Sequence, residues 1–249
     1  MAFPSCFGFI PARYDSSRFP GKPLAQILGK PMFWHVWSRA SRCGALASIH
    51  VCTDDRRIME AAASLGVPCL MTRRDHVNGS SRVLEAAKAL QIPDDAVVVN
   101  IQGDEPALES AMLDALLAPF DDPLTMSATL ACPIGREEAL MPDRVKVVRD
   151  AAGNALYFSR SPIPFERNAN AENVSPYLLH VGIYAYRMDV LAASMEFPPT
   201  PLETMESLEQ LRLLENGIPM RVAVTNHRSH GVDSPQDIDL ILPLMALNP

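Results

Sequence analysis

The sequence predicts an α/β protein, a mostly parallel sheet flanked by helices. Three observations predict it. Apolar β-branched runs alternate with amphipathic stretches through the first half of the chain, the rhythm of strand–helix–strand units. The run Val97-Val-Val-Asn-Ile101 shows no polar alternation, as expected of a strand covered on both faces. The connection from Pro11 to Pro31 is rich in proline and glycine and far longer than the roughly 2–6 residues usual in α/β units, and a connection of that length is generally functional.

In order, Phe7 to Ile10 reads as a buried strand and Met32 to Cys43 as an amphipathic helix. Ser48 to Cys52 is a strand, followed by a helix from Asp55 to Leu65 with Asp54 as its expected N-cap. A short strand, Pro68 to Met71, precedes a helix from Ser80 to Leu90. After the strand Val97 to Ile101 come helix Glu109 to Phe120 and strand Met126 to Cys132. From about residue 133 to 200 the rhythm changes: strand-like Val145 to Val148, Ala155 to Phe158 and Val181 to Tyr186 are separated by turns at Pro162, Pro164 and Pro176, which reads as a mixed-sheet insertion in a single domain. Helix Leu202 to Glu215, with Met205, Leu208, Leu211 and Leu214 as its core stripe, and strand Met220 to Val224 return to the main body. A last helix starts at Pro235, with Ser234 able to cap it and Asp237 in its first turn.

Composition limits the classes of function. With 249 residues, 48% apolar and 20% charged, the chain has the balance of an ordinary globular protein, which excludes disorder and fibrous repeats. No apolar run approaches the roughly 20 residues that span a bilayer, and Met1 to Ile10 has no basic leader, so the expected place is the cytoplasm and no membrane partner is expected. The cysteines, Cys6, Cys43, Cys52, Cys69 and Cys132, are odd in number and lack a Cys-x-x-Cys pair, which argues against a disulfide framework or structural zinc. A net charge of −7 repels nucleic acid, so anion binding must be local. Of the 22 basic residues only Lys22, Lys30, Lys88 and Lys146 are lysines, and the arginine surplus favours two-pronged contact with phosphate or carboxylate.

Three groups of residues carry candidate chemistry. The loop Pro11-Ala-Arg-Tyr-Asp-Ser-Ser-Arg-Phe-Pro-Gly-Lys-Pro-Leu24 leaves the first strand at the sheet edge where ligands of open α/β sheets sit. It concentrates Arg13, Arg18, Lys22, Ser16, Ser17 and Gly21, the charges, donors and close backbone that a polyphosphate needs; the alternative is a solvated basic loop. Asp104 and Glu105, directly behind a hydrophobic strand, are hard oxygen ligands suited to Mg²⁺, or else the acids of a surface turn. Asp233 either joins a metal site or supports the start of the last helix. Beyond these, a polar turn (Arg73, Arg74, Asp75, His76, Asn78, Gly79, Ser80, Arg82) precedes a helix N-terminus, and His180, Tyr184 and Tyr186 share one strand face. A lone strand histidine is more often structural than catalytic.

These motifs, with Thr53-Asp54, Met71-Thr-Arg-x-Asp-His76, Asn100-Ile-Gln-Gly-Asp-Glu-Pro106, Val145-Lys-Val-Val148, Ala155-Leu-Tyr-Phe-Ser-Arg160, His180-Val-Gly-Ile-Tyr184, Leu208-Glu-Gln-Leu-Arg212 and Val232-Asp-Ser-Pro-Gln-Asp237, run collinearly from about Phe7 to Asp239. Together they resemble the 3-deoxy-manno-octulosonate (Kdo) cytidylyltransferases of lipopolysaccharide assembly. The resemblance implies a Rossmann-like nucleotide-diphospho-sugar transferase fold, a homodimer, and the Mg²⁺-dependent reaction of CTP with Kdo to CMP-Kdo and diphosphate. By matching position it implies that Pro11, Ala12, Arg13, Arg18 and Lys22 hold CTP, with Arg73, Asp75 and Ser80 near base and ribose. It places Gln102 between nucleotide and sugar, Asp104 and Asp233 on Mg²⁺, and Arg82, Arg160, His180, Tyr184, Glu209 and Gln210 on the sugar. The same resemblance implies that Lys22, Arg13 and Asp104 carry the chemistry. The chain departs from the family at one turn: where the family usually reads Ser-Gly-Thr-Glu/Asp-Arg, it has Asn78-Gly-Ser-Ser-Arg82, so Ser81 replaces an acid. That leaves open a relative acting on 8-amino-Kdo or another acidic sugar, and a CTP-binding protein without catalysis. A nicotinamide-dependent dehydrogenase also fits the alternation, but the first turn lacks its glycine fingerprint.

Overall fold

The computed structural model describes residues 3–15, 19–167, 177–228 and 230–247. Strands β1 (Cys6–Ala12), β4 (Leu46–Thr53), β5 (Cys69–Met71), β6 (Val97–Asn100), β7 (Ser127–Ile134), β10 (Tyr177–Arg187) and β11 (Met220–Val224) form one sheet in the order β11-β7-β10-β6-β1-β4-β5. All run the same way except β10, which lies antiparallel between β6 and β7. Strands β8 (Lys146–Arg149) and β9 (Ala155–Ser159) extend from β10 as an antiparallel flap. The long connection after β1 is built rather than loose: it holds a 3₁₀ turn at Lys22–Leu24 and a ribbon of β2 (Gln26–Ile27) and β3 (Lys30–Pro31).

The central strand β6 buries both faces. Val97 and Val99 pack into a core with Ile10, Phe33 and Leu113, while Val98 between them joins Phe9, Phe158 and Leu211 on the opposite side. Helices α1 (Met32–Ala40), α2 (Arg56–Ser64) and α4 (Ser110–Leu117) bury residues in the first core and α3 (Gly79–Ala89) in the second. Short helices α5 (Arg136–Ala139) and α6 (Met188–Ser194) precede the flap and follow β10. Cys6, Cys43, Cys52 and Cys132 are buried, and burial pushes the Cys6 thiol up to about 12 and that of Cys43, with help from Asp114, to about 11.

Four expectations are corrected. Asp55, not Asp54, caps α2: its carboxylate accepts the Arg57 N–H at 2.9 Å, which leaves Asp54 for another partner. The helix expected over 202–215 is two helices, α7 (Pro201–Glu206) and α8 (Gln210–Glu215), because Ser207 adopts a left-handed φ of 54° and breaks the axis. The predicted core stripe breaks with it, so Leu208 and Leu211 are buried but Met205 is exposed. The last helix, α9, spans Asp237–Leu247, two residues later than expected: the Asp237 carboxylate accepts the N–H groups of Asp233 and Ser234 and the Ser234 hydroxyl, so Ser234 donates where it was expected to accept. The shared face of His180, Tyr184 and Tyr186 survives a bulge in β10 because the bulge inserts two residues, Gly182 and Ile183, which restores parity; successive rings lie 5.4 and 6.0 Å apart.

Candidate active site

The loops that follow β1, β4, β5, β6 and β11 gather at one sheet edge. Between them lies a cavity of about 450 Å³ whose walls include Pro11, Ala12, Arg13, Lys22, Gly79, Arg82, Gln102, Asp104 and Asp233. At its floor Lys22 is the tie: its Nζ donates to Asp104 Oδ2 at 2.7 Å and to the Val232 carbonyl at 2.9 Å, and lies 3.6 Å from Asp233 Oδ1. The Val232 N–H donates to the Asp104 carbonyl at 2.8 Å. Two aspartates 129 positions apart are thereby held around one ammonium. Asp233 faces this cluster with its side chain while only its backbone N–H serves the start of α9.

The 101–105 turn is placed by close packing. A Cβ on Gly103 would lie 2.5 Å from the Pro11 carbonyl oxygen, so glycine is what lets the turn rest against the end of β1. Gln102 is locked by donating to the Gly182 carbonyl at 2.8 Å, across the β10 bulge. On the far wall Arg82 is fully buried; Nη2 donates to Asp54 Oδ2 at 2.8 Å and Nη1 to Thr72 Oγ1 at 2.6 Å. Its Nε has no protein partner among the described residues.

A second group forms behind the N-terminus of α3. Asn78, Ser80, Tyr184, Glu209 and Gln210 line a small cavity of about 50 Å³. The Tyr184 hydroxyl donates to Gln210 Oε1 at 3.3 Å, and burial pushes the Glu209 carboxyl above the usual carboxylate range. His180 lies apart from Gln210: its Nε2 is 3.0 Å from Thr129 Oγ1, its ring meets Phe158 edge-on at 5.0 Å, and burial lowers its pKa to about 3, so it is neutral at physiological pH. Arg160 is turned to the α7–α8 junction, where its N–H and Nε donate to the Glu206 carboxylate and carbonyl at 2.9 and 2.8 Å.

The structure thus gathers Pro11, Ala12, Arg13, Lys22, Arg82, Gln102, Asp104 and Asp233 around one cavity and Ser80, Tyr184, Glu209 and Gln210 around its neighbour. Arg73 and Asp75 stand on the exposed turn outside both, 3.6 Å from each other. Arg18, with Ser16 and Ser17, lies outside the described residues. Glu206 is not singled out by the sequence. It organises the flap, accepting also from Ser159 Oγ at 2.6 Å; although burial opposes ionisation, these hydrogen bonds hold its carboxyl below the usual range. Lys146, fully buried, donates to the Arg160 carbonyl at 2.6 Å. Neither role has a signal in spacing, because Glu206 acts through a contact between helix and flap and Lys146 through contacts within the flap and the chain before it.

Residues 7–224 match the cytidylyltransferase family. A 3-deoxy-manno-octulosonate cytidylyltransferase of Nitratidesulfovibrio vulgaris (strain Hildenborough) is 58% identical over 98% of this chain and 97% of that protein. The chain belongs to the 3-deoxy-manno-octulosonate cytidylyltransferase family. The family reaches plants: a mitochondrial member from Arabidopsis thaliana is 44% identical over 96% of this chain and 82% of its own length. Among solved structures, a CMP:2-keto-3-deoxy-manno-octonic acid synthetase complexed with CTP superposes with a TM-score of 0.92 at 43% identity, covering 98% of this chain and all of that one. A cytidylyltransferase from Leptospira borgpetersenii, at TM-score 0.63 and 14% identity, shares the fold.

Proposed function

We propose that the chain transfers the cytidylyl group of CTP to the anomeric hydroxyl of Kdo, releasing diphosphate, in the cytoplasmic stage of lipopolysaccharide biosynthesis. The observation that carries this reading is the Asp104–Lys22–Asp233 cluster on the floor of the main cavity, in a chain of this family. In-line displacement at the α-phosphorus needs no protein nucleophile. It needs charge compensation on the leaving diphosphate and a correctly held hydroxyl. Arg13 and Lys22, with Arg18, neutralise the phosphates; Pro11, Ala12, Arg73, Asp75 and Ser80 receive the nucleoside. Gln102, fixed by Gly182, stands between nucleotide and sugar. Arg82, Arg160, His180, Tyr184, Glu209 and Gln210 serve the sugar. His180 does so as a neutral imidazole.

The residues fit Mg²⁺. Two carboxylates already share a cation, the Lys22 ammonium, and supply hard oxygen donors, with substrate phosphates left to complete the coordination that Mg²⁺ demands. Asp104 and Asp233 would hold the ion, which when bound acts as a Lewis acid that acidifies a hydroxyl and offsets phosphate charge. A homodimer is supported by the apolar side chains that the flap region exposes, Leu156 and Phe165, and sedimentation at micromolar concentration should give twice the 27.3 kDa chain mass rather than the chain alone.

The deciding experiment is diphosphate release with CTP, Mg²⁺ and a panel of Kdo, 8-amino-Kdo and a nonulosonate, for the wild type and Asp104→Asn. Kdo should be preferred, and the variant should lose at least about a hundredfold in turnover with its fold intact. Near-normal turnover of Asp104→Asn overturns the metal assignment, and preference for another sugar overturns the choice of Kdo.

A further inference from the structure

Thr129 lies within β7 with no exposed surface, opposite the bulge at Gly182 and Ile183. A hydroxyl enclosed in this way carries one proton and must find partners for it and for its lone pairs. Three groups lie within reach of Oγ1: the Ile183 carbonyl at 2.9 Å, His180 Nε2 at 3.0 Å and the Val181 carbonyl at 3.2 Å. The two carbonyls flank Gly182, whose own carbonyl receives Gln102.

The proton count fixes the direction of every contact. Both carbonyls only accept, whereas a neutral imidazole nitrogen donates or accepts according to its tautomer. If the hydroxyl gave its proton to Nε2, its oxygen would face two carbonyl oxygens with no hydrogen between them, in a site closed to solvent. If the proton lies between the carbonyls instead, Nε2 carries a hydrogen and donates to Oγ1, and all three contacts join a donor to an acceptor. Phe158, edge-on at 5.0 Å, and Tyr184, at 5.4 Å, pack against the ring in this orientation. Burial keeps the imidazole neutral, so a hydrogen on Nε2 leaves Nδ1 with a lone pair, and among the described residues no protein group bonds to it. His180 also lines a cavity of about 310 Å³ that adjoins the catalytic floor: on its wall Glu105 follows Asp104, Gly231 precedes Val232, and Gly182 holds Gln102.

We propose that Thr129 is a positioning residue that sets the hydrogen-bonding sense of His180: it holds the imidazole as the Nε2–H tautomer, so that Nδ1 accepts from a hydroxyl of the acidic sugar and offers nothing to its carboxylate. The identity of the sugar rests on the proposed cytidylyl transfer. Recognition of the sugar's negative charge is thereby left to cationic side chains.

Nitrogen-15 spectra of the imidazole read the tautomer directly. In the resting wild type, Nε2 of His180 should show the protonated, pyrrole-type shift and Nδ1 the bare, pyridine-type shift; the reverse pattern overturns the proposal. With a non-hydrolysable CTP analogue present, adding Kdo or another sugar of the panel should move the Nδ1 signal in the direction of an accepted hydrogen bond, and a signal unmoved by all of them overturns it too. Thr129→Val nearly preserves the side-chain shape and removes the hydroxyl. This variant should mix the two tautomers and raise KM for the sugar about tenfold, the worth of one hydrogen bond, with KM for CTP within about threefold. Thr129→Ser should restore the wild-type spectrum and both constants. An unchanged tautomer and sugar KM in Thr129→Val, or both KM values rising together, leaves Thr129 a support of the bulge alone and overturns the proposal. The wild-type spectra decide the question even where Thr129→Val does not fold, and they need no turnover. The Nε2–H pattern with a sugar-dependent Nδ1 shift, in a protein that releases no diphosphate, would sink the reaction and sustain Thr129. Normal diphosphate release from a protein holding the Nδ1–H tautomer would sink Thr129 and leave the reaction standing.

Discussion

Gly103→Ala puts the geometry of the site to a numerical test. The added methyl would sit 2.5 Å from the Pro11 carbonyl oxygen, whereas ordinary contact begins near 3.4 Å, so the 101–105 turn must retreat from β1 by about 0.9 Å. Both sides of the clash are backbone, held by the Ile101 N–H to Phe9 carbonyl bond at 2.9 Å, so no side-chain rotation relieves it. Overpacking of this kind costs about 1–3 kcal/mol of stability. The larger consequence is chemical, because Gln102 and Asp104 flank the shifted residue. Misplacing reacting groups by about 1 Å costs on the order of a hundredfold in rate. The assay is kcat/KM from diphosphate release, with urea unfolding in parallel. Gly44→Ala serves as the control, since nothing lies within 4 Å of its would-be Cβ. A Gly103→Ala protein within threefold of wild-type kcat/KM would refute the claim that this close approach sets the position of Asp104.

Other consequences follow from the buried charges. Asp54→Ala removes the carboxylate that faces the fully buried Arg82 guanidinium and should lower unfolding free energy by about 3–5 kcal/mol, measured by urea titration, whereas an effect below about 1 kcal/mol would mean that Thr72 and the Arg73 carbonyl suffice. His180 is held neutral in the fold, with its pKa lowered to about 3, and protonates near its ordinary 6.5 when unfolded. The unfolded state therefore takes up the extra proton, and this contribution to stability is complete above about pH 6.5 and lost as the pH falls towards 3. Between pH 6.5 and 5 the wild type should lose up to about 2 kcal/mol that His180→Asn does not lose; parallel pH profiles for the two would contradict a buried neutral imidazole.

Much of this site was legible because the groups concerned follow strands. Asp104 ends a run whose both-face burial is visible in Val97 to Val99, and a residue just past such a strand falls at the ligand edge wherever the sheet lies. Asp233 was ambiguous in sequence, since an acid before a helix serves a cap or a ligand equally well; in the structure Asp237 takes the capping bonds, and the Asp233 carboxylate lies 3.6 Å from the Lys22 ammonium. The errors share a cause. Asp54 and Asp55 are equivalent cap candidates in one dimension, and only the burial of Arg82, contributed from 28 positions away, draws Asp54 elsewhere. The break at Ser207 likewise has no proline or glycine to announce it; the left-handed residue is held by the Arg160 guanidinium close to its carbonyl and by the Glu206 contacts to the flap. Helical periodicity records neither.

The reversed strand β10 bears on how the chain comes to fold. Its neighbours, β6 and β7, are complete by Ile134, yet the strand that joins them begins only at Tyr177. During synthesis both therefore present open hydrogen-bonding rims while the intervening stretch is still being made, a period in which a nascent chain is exposed to mispairing. Insertion of β10 closes both rims at once and, through the Gln102–Gly182 bond, anchors the 101–105 turn, which has this support only once β10 is in place.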